Sequence, residues 1–182
     1  MVRIDRVVTR GGDGGETSLG NGERVRKDTA RMEAIGTVDE ANAAIGLLRL
    51  HTPDPHDAML ARIQNDLFDA GADLCVPGEA GERLRLTDAP NERLEAEIAA
   101  MNAALPKLTS FVLPGGTPAA AHAHLARTVV RRAERCVVRL AAEAPLNPVL
   151  LRYLNRLSDH LFVLSRALNA GNDVLWAPGA NR

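Results

Sequence analysis

The amino-acid sequence predicts an all-α protein, a five-helix bundle that follows a glycine-rich N-terminal arm. Apolar residues recur at three- and four-residue spacing along most of the chain, which is typical of helices with one buried face. Proline or glycine marks the ends of these segments, the connections are short, and no segment has the pattern of a strand. The 182 residues suit a single domain, with an arm at 1–28, a bundle at 37–171 and a tail at 172–182.

The composition argues against several classes of protein. A net charge of −1 argues against a general nucleic-acid binder, and no apolar run approaches the ~20 residues that a membrane-spanning helix needs. The N-terminal residues lack the apolar core of a signal peptide, and Cys75 and Cys136 are too far apart for a disulfide framework. We therefore expect a cytoplasmic protein with no nucleic-acid or membrane partner.

The N-terminal arm is rich in glycine, with five glycines between Gly11 and Gly20. Repeated glycines let backbone N–H groups approach an anion closely, as in phosphate-binding loops. The arm matches neither a Walker A loop nor the dinucleotide fingerprint, so its glycines alone are more typical of a flexible segment than of a site. Hydroxyl groups and cations are interleaved with them, at Thr9, Arg10, Thr17, Ser18 and Lys27. That mixture favours an anionic ligand.

Three helices are predicted in the first half of the chain. Residues 37–40, Thr-Val-Asp-Glu, form a capping box, which predicts that the first helix begins at this threonine. The second helix is expected to begin at Pro55 and to end before residues 77–78, and the third begins near Pro90 and stops at Pro106. The apolar residues predicted to face the core are Ala41, Ile45, Leu48, Leu60, Ile63, Leu67, Ala70, Leu74, Leu94, Ile98 and Met101.

Two further helices follow the Pro-Gly-Gly breaker at residues 114–116. Thr117 is predicted to cap the fourth helix, which runs to about Ala144, and Asn147 to cap the fifth, which ends at Gly171. Leucines of the fifth helix alternate steps of four and three, the spacing of a packed bundle seam. The predicted buried stripes are Ala126, Val130, Ala133, Val137 and Leu140 on the fourth helix, and Leu150, Leu154, Leu157, Leu161, Leu164 and Leu168 on the fifth.

A row of arginines, Arg127, Arg131 and Arg135, lies beside the buried stripe of the fourth helix at four-residue spacing. Like charges four residues apart repel each other, so the row requires an anionic partner or open water. A solvated face is the plainer interpretation, and Glu134 would neutralise part of the row within its own helix. Asn155 lies on the polar side of the fifth helix, where its role depends on what faces it. The glycine-rich arm shifts the balance towards an anionic ligand.

The sequence predicts no metal site among its own side chains. His122 and His124 form an H-x-H pair, but residues two apart on a helix point to nearly opposite sides. No serine or cysteine nucleophile with a matching base stands in a recognisable motif. We therefore expect neither a metal held by protein ligands nor a side-chain nucleophile.

Four long blocks of the sequence carry a family resemblance. They are TRGGDGGETSLGNGERVRKD at 9–28, EAIGTVDEANAAIG at 33–46, FVLPGGTPAAAHAHLARTVVRRAER at 111–135 and YLNRLSD at 153–159. Together they resemble the ATP:cob(I)alamin adenosyltransferases of the PduO type, over nearly the whole chain. Known members of that family are five-helix bundles assembled as trimers, with active sites between subunits. The resemblance implies transfer of the 5′-deoxyadenosyl group of ATP to the cobalt of cob(I)alamin, with release of triphosphate.

The resemblance also implies, by matching position, which residues form the site. Residues implied to bind ATP are Thr9, Arg10, Gly11, Gly12, Thr17, Ser18, Lys27, Arg131, Arg132, Ala133, Glu134, Arg135 and Asn155. Residues implied to be catalytic are Asp39, Phe111, Arg127 and Arg131. Asp39 would pair with Arg127 of a neighbouring subunit, and Phe111 would lie against the corrin.

The chemistry implied by the resemblance requires no nucleophile from the protein, because cobalt(I) is itself the nucleophile. Arg131, Lys27, the loop amides and a Mg²⁺ ion would stabilise the charge on the leaving triphosphate. Phe111 would exclude the lower ligand of cobalt, although an aromatic side chain that plugs the core is equally compatible with the sequence. The chain departs from common family patterns at Val8, often Tyr, and at Gly14, often Lys. The second departure would remove one cation near the phosphates.

Two other functions stay open at the level of sequence. The protein could be a non-catalytic carrier or sensor that holds ATP and a corrinoid and hands the product on. It could also be a purely structural helical oligomer, which would leave the arm and the arginine row without a purpose. A reductase and an adenosylcobalamin-dependent acceptor enzyme are further partners that the resemblance implies.

Overall fold

The computed structural model describes residues 7–78 and 83–180, so parts of the predicted arm (1–6) and tail (181–182) lie outside it. The helices in these ranges are α1 (Ala30–Arg49), α2 (His56–Leu74), α3 (Ala89–Ala103), α4 (Pro118–Glu143) and α5 (Pro148–Leu168). The strands in the same ranges, β1 (Glu16–Ser18) and β2 (Arg24–Arg26), pair as a small antiparallel hairpin. The predicted five-helix, all-α architecture is confirmed. The assignment of the whole chain to one domain stays a prediction.

The core of the bundle lies along α1, α4 and α5. α1 packs against α2 and α4, α4 packs against α5, and α5 packs against α3. The predicted buried faces are confirmed with two exceptions, Ile98 and Leu168, which are only partly buried. Among the helices of the described ranges, none combines the length and the apolar character that crossing a membrane requires.

A buried carboxylate joins three helices in the middle of the bundle. The hydroxyl of Tyr153 on α5 donates a hydrogen bond to Oδ2 of Asp66 on α2 at 3.1 Å. Arg93 of α3 forms an ion pair with the same oxygen. Burial raises the pKa of the Tyr153 hydroxyl well above its ordinary value, and the nearby Asp66 carboxylate raises it further. Tyr153 therefore donates as a neutral phenol, and the three helices share one acceptor.

The predicted start of the first helix is wrong, because α1 begins seven residues earlier, at Ala30. Thr29 has extended backbone angles and caps α1 with its side chain. Thr37 lies inside the helix, where its hydroxyl donates to the carbonyl of Glu33 at 2.9 Å. A threonine in a helix interior can satisfy its hydroxyl in this way, so the capping-box pattern does not mark a terminus here. Asp39 therefore lies in the middle of α1.

The hairpin of the arm was not predicted, since strands of three residues are too short to show alternation. Thr17 of β1 stands opposite Val25 of β2. Leu19, in the turn between the strands, is buried, and the N–H of Gly20 donates to the carbonyl of Cys75 at 2.9 Å. The turn of the hairpin is thereby fixed against the C-terminal end of α2.

The predicted caps of α4 and α5 are confirmed, and the first depends on a close approach. The Oγ1 of Thr117 accepts from the backbone of Ala120 at 3.1 Å, and the side chain of Asn147 caps α5. Oδ1 of Asn169, just after α5, accepts the N–H of Thr117 at 2.9 Å. Gly116 has a φ of +101°, and a Cβ there would lie 2.1 Å from this oxygen. Only glycine allows Asn169 to reach the start of α4.

Asp73 connects three segments of the chain at one end of the bundle. Its side chain, 1% exposed, accepts hydrogen bonds from Arg85 at 2.7 Å and from the backbone N–H of Leu86 at 2.9 Å. The side-chain amide of Asn147 donates to it at 2.7 Å. The end of α2, the segment before α3 and the start of α5 therefore share one carboxylate.

Replacing Asp73 by Ala should destabilise the bundle strongly. The change removes the carboxylate that Arg85 and Asn147 share and leaves them only backbone acceptors. Removing one partner of a buried ion pair costs about 3–5 kcal/mol. For a domain of this size, we expect the melting temperature to fall by roughly 6–20 °C. Asp69→Ala, one turn earlier on α2 and only partly buried, is the matched control and should change the melting temperature little. Thermal melts in which the two variants coincide would contradict this role of Asp73.

Candidate functional site

The glycine-rich arm folds around Lys27. The Nζ of Lys27 donates to the carbonyl of Gly12 at 2.9 Å, and its backbone N–H donates to Gly15 at 2.9 Å. A Cβ on Gly12 would lie 2.9 Å from this Nζ, so the absence of a side chain permits the contact. Within residues 7–78 and 83–180, the N–H groups of Gly11 and Gly12 form no hydrogen bond. A cation and free backbone donors therefore lie together, as an anion-binding loop requires.

A second cation of the arm, Arg24, was not among the residues predicted from the sequence. Its guanidinium donates to the carbonyl of Gly11 at 2.8 Å and to the hydroxyl of Ser18 at 3.2 Å. Glu16 lies 3.7 Å from the same group, but both side chains are about half exposed, where water screens the pair. The signal that could have found it is the Arg-Val-Arg alternation of β2, which places Arg24 and Arg26 on one face of a strand.

The remaining polar residues of the arm lie on its surface. Thr9, Arg10 and Ser18 are exposed, and Thr17 is partly buried. Arg10 has a left-handed backbone conformation with a φ of 59°, which is uncommon for a residue other than glycine. The carbonyl of Arg10 accepts the N–H of Asp13 at 3.3 Å, so this residue starts the turn that presents the glycines.

The arginine row lies along one side of α4 and is not neutralised there. Arg127 is partly buried, and its guanidinium lies 6.0 Å from the ring centroid of Phe162. Its Nε has no hydrogen-bond partner among the described residues. Burial lowers the pKa of Arg127, and the neighbouring Arg131 lowers it further. Arg135 donates to the backbone carbonyl of Arg131 at 3.0 Å. In the described ranges, no acidic side chain forms an ion pair with any of the three arginines.

The acid next to the row is engaged elsewhere. Glu134 accepts a hydrogen bond from the side-chain amide of Asn155 at 3.0 Å, across the seam between α4 and α5. The alternative in which Glu134 neutralises Arg131 therefore has no support in this geometry. Arg132 forms an ion pair with Glu40 of α1 instead of extending the row.

Ala133, which the resemblance implies to bind ATP, has its side chain in the core. Its relative exposure is 0%, because it belongs to the buried stripe of α4. The same stripe was predicted from the periodicity of the sequence. The side chain of Ala133 thus contributes to the core. Its assignment to the ATP site stays a prediction.

Asp39 borders an apolar groove between α1 and α2. The groove has a volume of about 450 Å³, and its lining includes Met32, Ile35, Leu67 and Phe68. Phe68 is 70% exposed, which is unusual for so large an apolar side chain. Among the described residues, Asp39 has no ion-pair partner, and the predicted partner Arg127 does not contact it within the chain.

Phe111 lies at the surface, in an aromatic patch that we define as Phe111, Leu113, Val174, Leu175 and Trp176. Phe111 is 76% exposed and Trp176 46% exposed, and their ring centroids are 6.0 Å apart. Phe111 does not plug the core, so that alternative is excluded. No role was predicted for Trp176, although a single tryptophan in a short polar tail was a signal.

The two histidines of α4 pack against different elements. The ring of His122 stacks on His51 of the segment after α1, with centroids 4.7 Å apart. His124 is buried, with its ring edge-on to Phe162 of α5 at 6.4 Å. In the part of the chain that the structure describes, no group of three or more His, Cys, Asp or Glu residues could hold a metal ion.

Comparison with known proteins decides the family. The sequence model described as cobalamin adenosyltransferase matches residues 7–168. The chain belongs to the cobalamin adenosyltransferase family. A cobalamin adenosyltransferase of Cupriavidus metallidurans is 51% identical over 180 residues, which cover 96% of this chain and 95% of that relative. A corrinoid adenosyltransferase of Mycobacterium tuberculosis (strain H37Rv) is 50% identical over 188 residues, covering 100% of this chain and 97% of the relative.

Solved structures agree with this assignment. A variant of the PduO-type ATP:corrinoid adenosyltransferase from Lactobacillus reuteri, complexed with cobalamin and ATP, superposes with a TM-score of 0.90. It is 33% identical, over 94% of this chain and 99% of that one. A second variant, complexed with ATP, gives a TM-score of 0.88 at 34% identity. The family predicted from four sequence blocks is confirmed, and so is the transferase activity of a corrinoid adenosyltransferase.

Proposed function

We propose that this member of the cobalamin adenosyltransferase family transfers the 5′-deoxyadenosyl group of ATP to a corrinoid at a site built by two copies of the chain. The arginine row of α4 carries this proposal. Arg127, Arg131 and Arg135 have no acidic partner in the described part of the chain, so their charges are available to an anionic ligand. The triphosphate of ATP supplies it.

ATP binds between the arm and the arginine row in this proposal. The free N–H groups of Gly11 and Gly12 and the ammonium of Lys27 hold the phosphates, while Arg131 approaches them from α4. Donors that are already in place stabilise the charge that develops on the leaving triphosphate. The proposed ATP-binding residues are Thr9, Arg10, Gly11, Gly12, Thr17, Ser18, Arg24, Lys27, Arg131, Arg132, Ala133, Glu134, Arg135 and Asn155.

Two observations favour a site shared between copies, in a homotrimer. Among the described residues, no hydrogen bond or ion pair links arm residues 9–27 to α4 or α5. The groove beside Asp39 is apolar, and Phe68 at its edge is 70% exposed, as expected for a surface that another chain covers. Asp39 then meets Arg127 of the neighbouring copy, whose Nε, unpartnered within the described ranges, requires an acceptor.

The corrinoid supplies the nucleophile. Cobalt(I) attacks C5′ with its own electron pair, so that a cobalt–carbon bond forms as the C5′–O bond breaks and its pair leaves with triphosphate. Phe111, in the aromatic patch, covers the lower face of the corrin and keeps water and the lower ligand away from cobalt. Cobalt without a lower ligand is easier to reduce to the reactive state.

Mg²⁺ acts together with ATP in this proposal. Mg²⁺ in nucleotide sites is usually held by substrate phosphates and one or two carboxylates. Because the described residues offer no group of three or more His, Cys, Asp or Glu for a metal, Mg²⁺ is assigned to the phosphates and not to a protein cage. It would neutralise charge on the leaving triphosphate.

We infer that, in the cytoplasm, one protein supplies the reduced substrate of this reaction and another uses its product. A reductase must supply cobalt in its reduced state, since the residues of the proposed site include no redox-active group. An adenosylcobalamin-dependent enzyme must accept the product.

The transfer itself is tested by turnover. Protein incubated with cob(I)alamin and ATP should form light-sensitive adenosylcobalamin in amounts far above the amount of protein. Absorbance of the alkyl product and release of triphosphate measure the two products. Formation that stops at one product per chain would show a carrier, and absence of product would refute the proposal.

Gly12→Ala should weaken ATP binding by moving Lys27. The new methyl group would lie only 2.9 Å from Nζ, so the ammonium must shift away from its present position. Loss of one charge-assisted contact to phosphate costs about 1.5–3 kcal/mol, which is roughly ten- to a hundredfold in kcat/KM for ATP. Gly14→Ala is the control, because a Cβ there meets nothing within 4 Å. Equal kinetics of both variants would exclude Lys27 from the phosphate site.

Asp39 and Arg127 should be coupled across the subunit boundary. In a double-mutant cycle on kcat/KM, Asp39→Asn and Arg127→Ala should be non-additive by about 0.5–3 kcal/mol. Glu40→Gln combined with Arg127→Ala is the control and should be additive, since Glu40 pairs with Arg132. Light scattering should report a trimer. An active monomer, or additivity in the first cycle, would refute the shared site.

A further inference from the structure

A buried ion pair lies beneath the aromatic patch. Nε of Arg166, in the last turn of α5, donates to Oδ2 of Asp173 at 2.8 Å. The two side chains are only 5% and 3% exposed. Arg166 also donates from Nη2 to the backbone carbonyl of Pro106 at 2.6 Å. One guanidinium therefore holds two segments, the loop that leads to Phe111 and the tail that leads to Trp176.

These two segments pair with each other directly after the ion pair. The N–H of Trp176 donates to the carbonyl of Phe111 at 2.8 Å, and the N–H of Leu113 donates to Val174 at 2.8 Å. The hydroxyl of Ser110 donates to the carbonyl of Trp176 at 2.8 Å. The same short antiparallel backbone contact therefore sets the positions of Phe111 and Trp176. It joins the two segments that Arg166 holds.

Stability alone is a weak reason for such a pair. Removing two charges from water is costly, and apolar residues of similar volume often give equal or greater stability. A guanidinium differs from an apolar residue because its hydrogen bonds are directional. Its planar fork fixes two acceptors relative to each other. Asp173 and Pro106 are those two acceptors.

Within the described ranges, the carboxylate of Asp173 is held by Arg166 alone. Its second oxygen, Oδ1, has no hydrogen-bond partner there, and neither has any ring nitrogen of the nearby buried His124. Burial and Arg127 both lower the pKa of His124, while Asp173 raises it, so the ring is neutral near pH 7. A change that removes the charge of Asp173 therefore weakens one hydrogen-bonded contact, the contact to Arg166.

We propose that Arg166 and Asp173 are positioning residues that hold the aromatic patch in the shape that receives the face of the corrinoid. They act through the loop at 106–111 and the tail at 173–176, and they touch neither substrate. This inference rests on the proposed contact between Phe111 and the corrinoid. The position of the aromatic patch in the structure does not depend on that proposed contact, because the two segments alone set it.

The chain contains its own probe for this arrangement, since Trp176 is its single tryptophan. Asp173→Asn keeps the size of the side chain and removes its charge. We expect the tail to loosen, so that tryptophan emission shifts to longer wavelength and acrylamide quenches it more strongly. Asp66→Asn is the matched control, because it alters another buried aspartate–arginine pair away from the tail. It should lower the melting temperature without changing the emission.

Kinetics add a readout that a purely structural role would not change. Asp173→Asn should raise the KM for the corrinoid about tenfold and leave the KM for ATP close to that of the wild type. Asp66→Asn should leave both constants close to the wild-type values in folded protein. Unchanged emission in Asp173→Asn, or the same change in Asp66→Asn, would overturn the proposal. So would equal increases of both KM values.

A second variant, Arg166→Lys, provides the test if Asp173→Asn does not fold. Arg166→Lys retains the charge opposite Asp173, but one ammonium cannot reproduce the two-acceptor fork. Its emission should also shift to longer wavelength, and an unshifted spectrum would overturn the proposal. If the wild type forms no adenosylcobalamin, the proposed function fails, while the emission comparison still decides whether Arg166 and Asp173 position the patch.

Discussion

The seam between α4 and α5 is the contact on which the rest of the structure depends. Val130, Ala133 and Val137 of α4 are fully buried, so the rotation of α4 about its axis is fixed. Because one face of α4 lies in the core, Arg127 and Arg131 lie together beside that buried stripe. The positive row is a consequence of core packing.

The protein is nearly neutral overall, but its arginines differ in whether a carboxylate partner lies nearby. Most arginines on the other described elements have carboxylate partners, as Arg49 has Asp57 and Arg85 has Asp73. The row on α4 lacks such partners in the described ranges, which leaves a local positive field on a chain of net charge −1. A field of this kind attracts a polyanion.

The parts of the structure that repeat along the chain could be predicted from the sequence. The stripe of α4 and the arginine row are periodic, so the residues alone identify both. The start of α1 could not, because Thr37 matches a capping pattern while its hydroxyl is satisfied inside the helix. The pairing of Phe111 with Trp176 could not either, since it joins residues far apart through backbone hydrogen bonds that carry no sequence pattern. Sequence thus predicts the charged half of the site better than its apolar half.

The hydrogen bond from Thr117 to Asn169 joins residues that are 52 positions apart. During synthesis the chain emerges from its N-terminus, so α4 leaves the ribosome well before the residue that completes its first turn. The side chain of Thr117 can cap α4 locally, whereas the loop at 113–116 gains its contacts only after α5 has formed. Closing so long a segment costs entropy that α5 must first offset by packing on α4. The contacts that hold the surface carrying Phe111 therefore become available only after α5 has been synthesised.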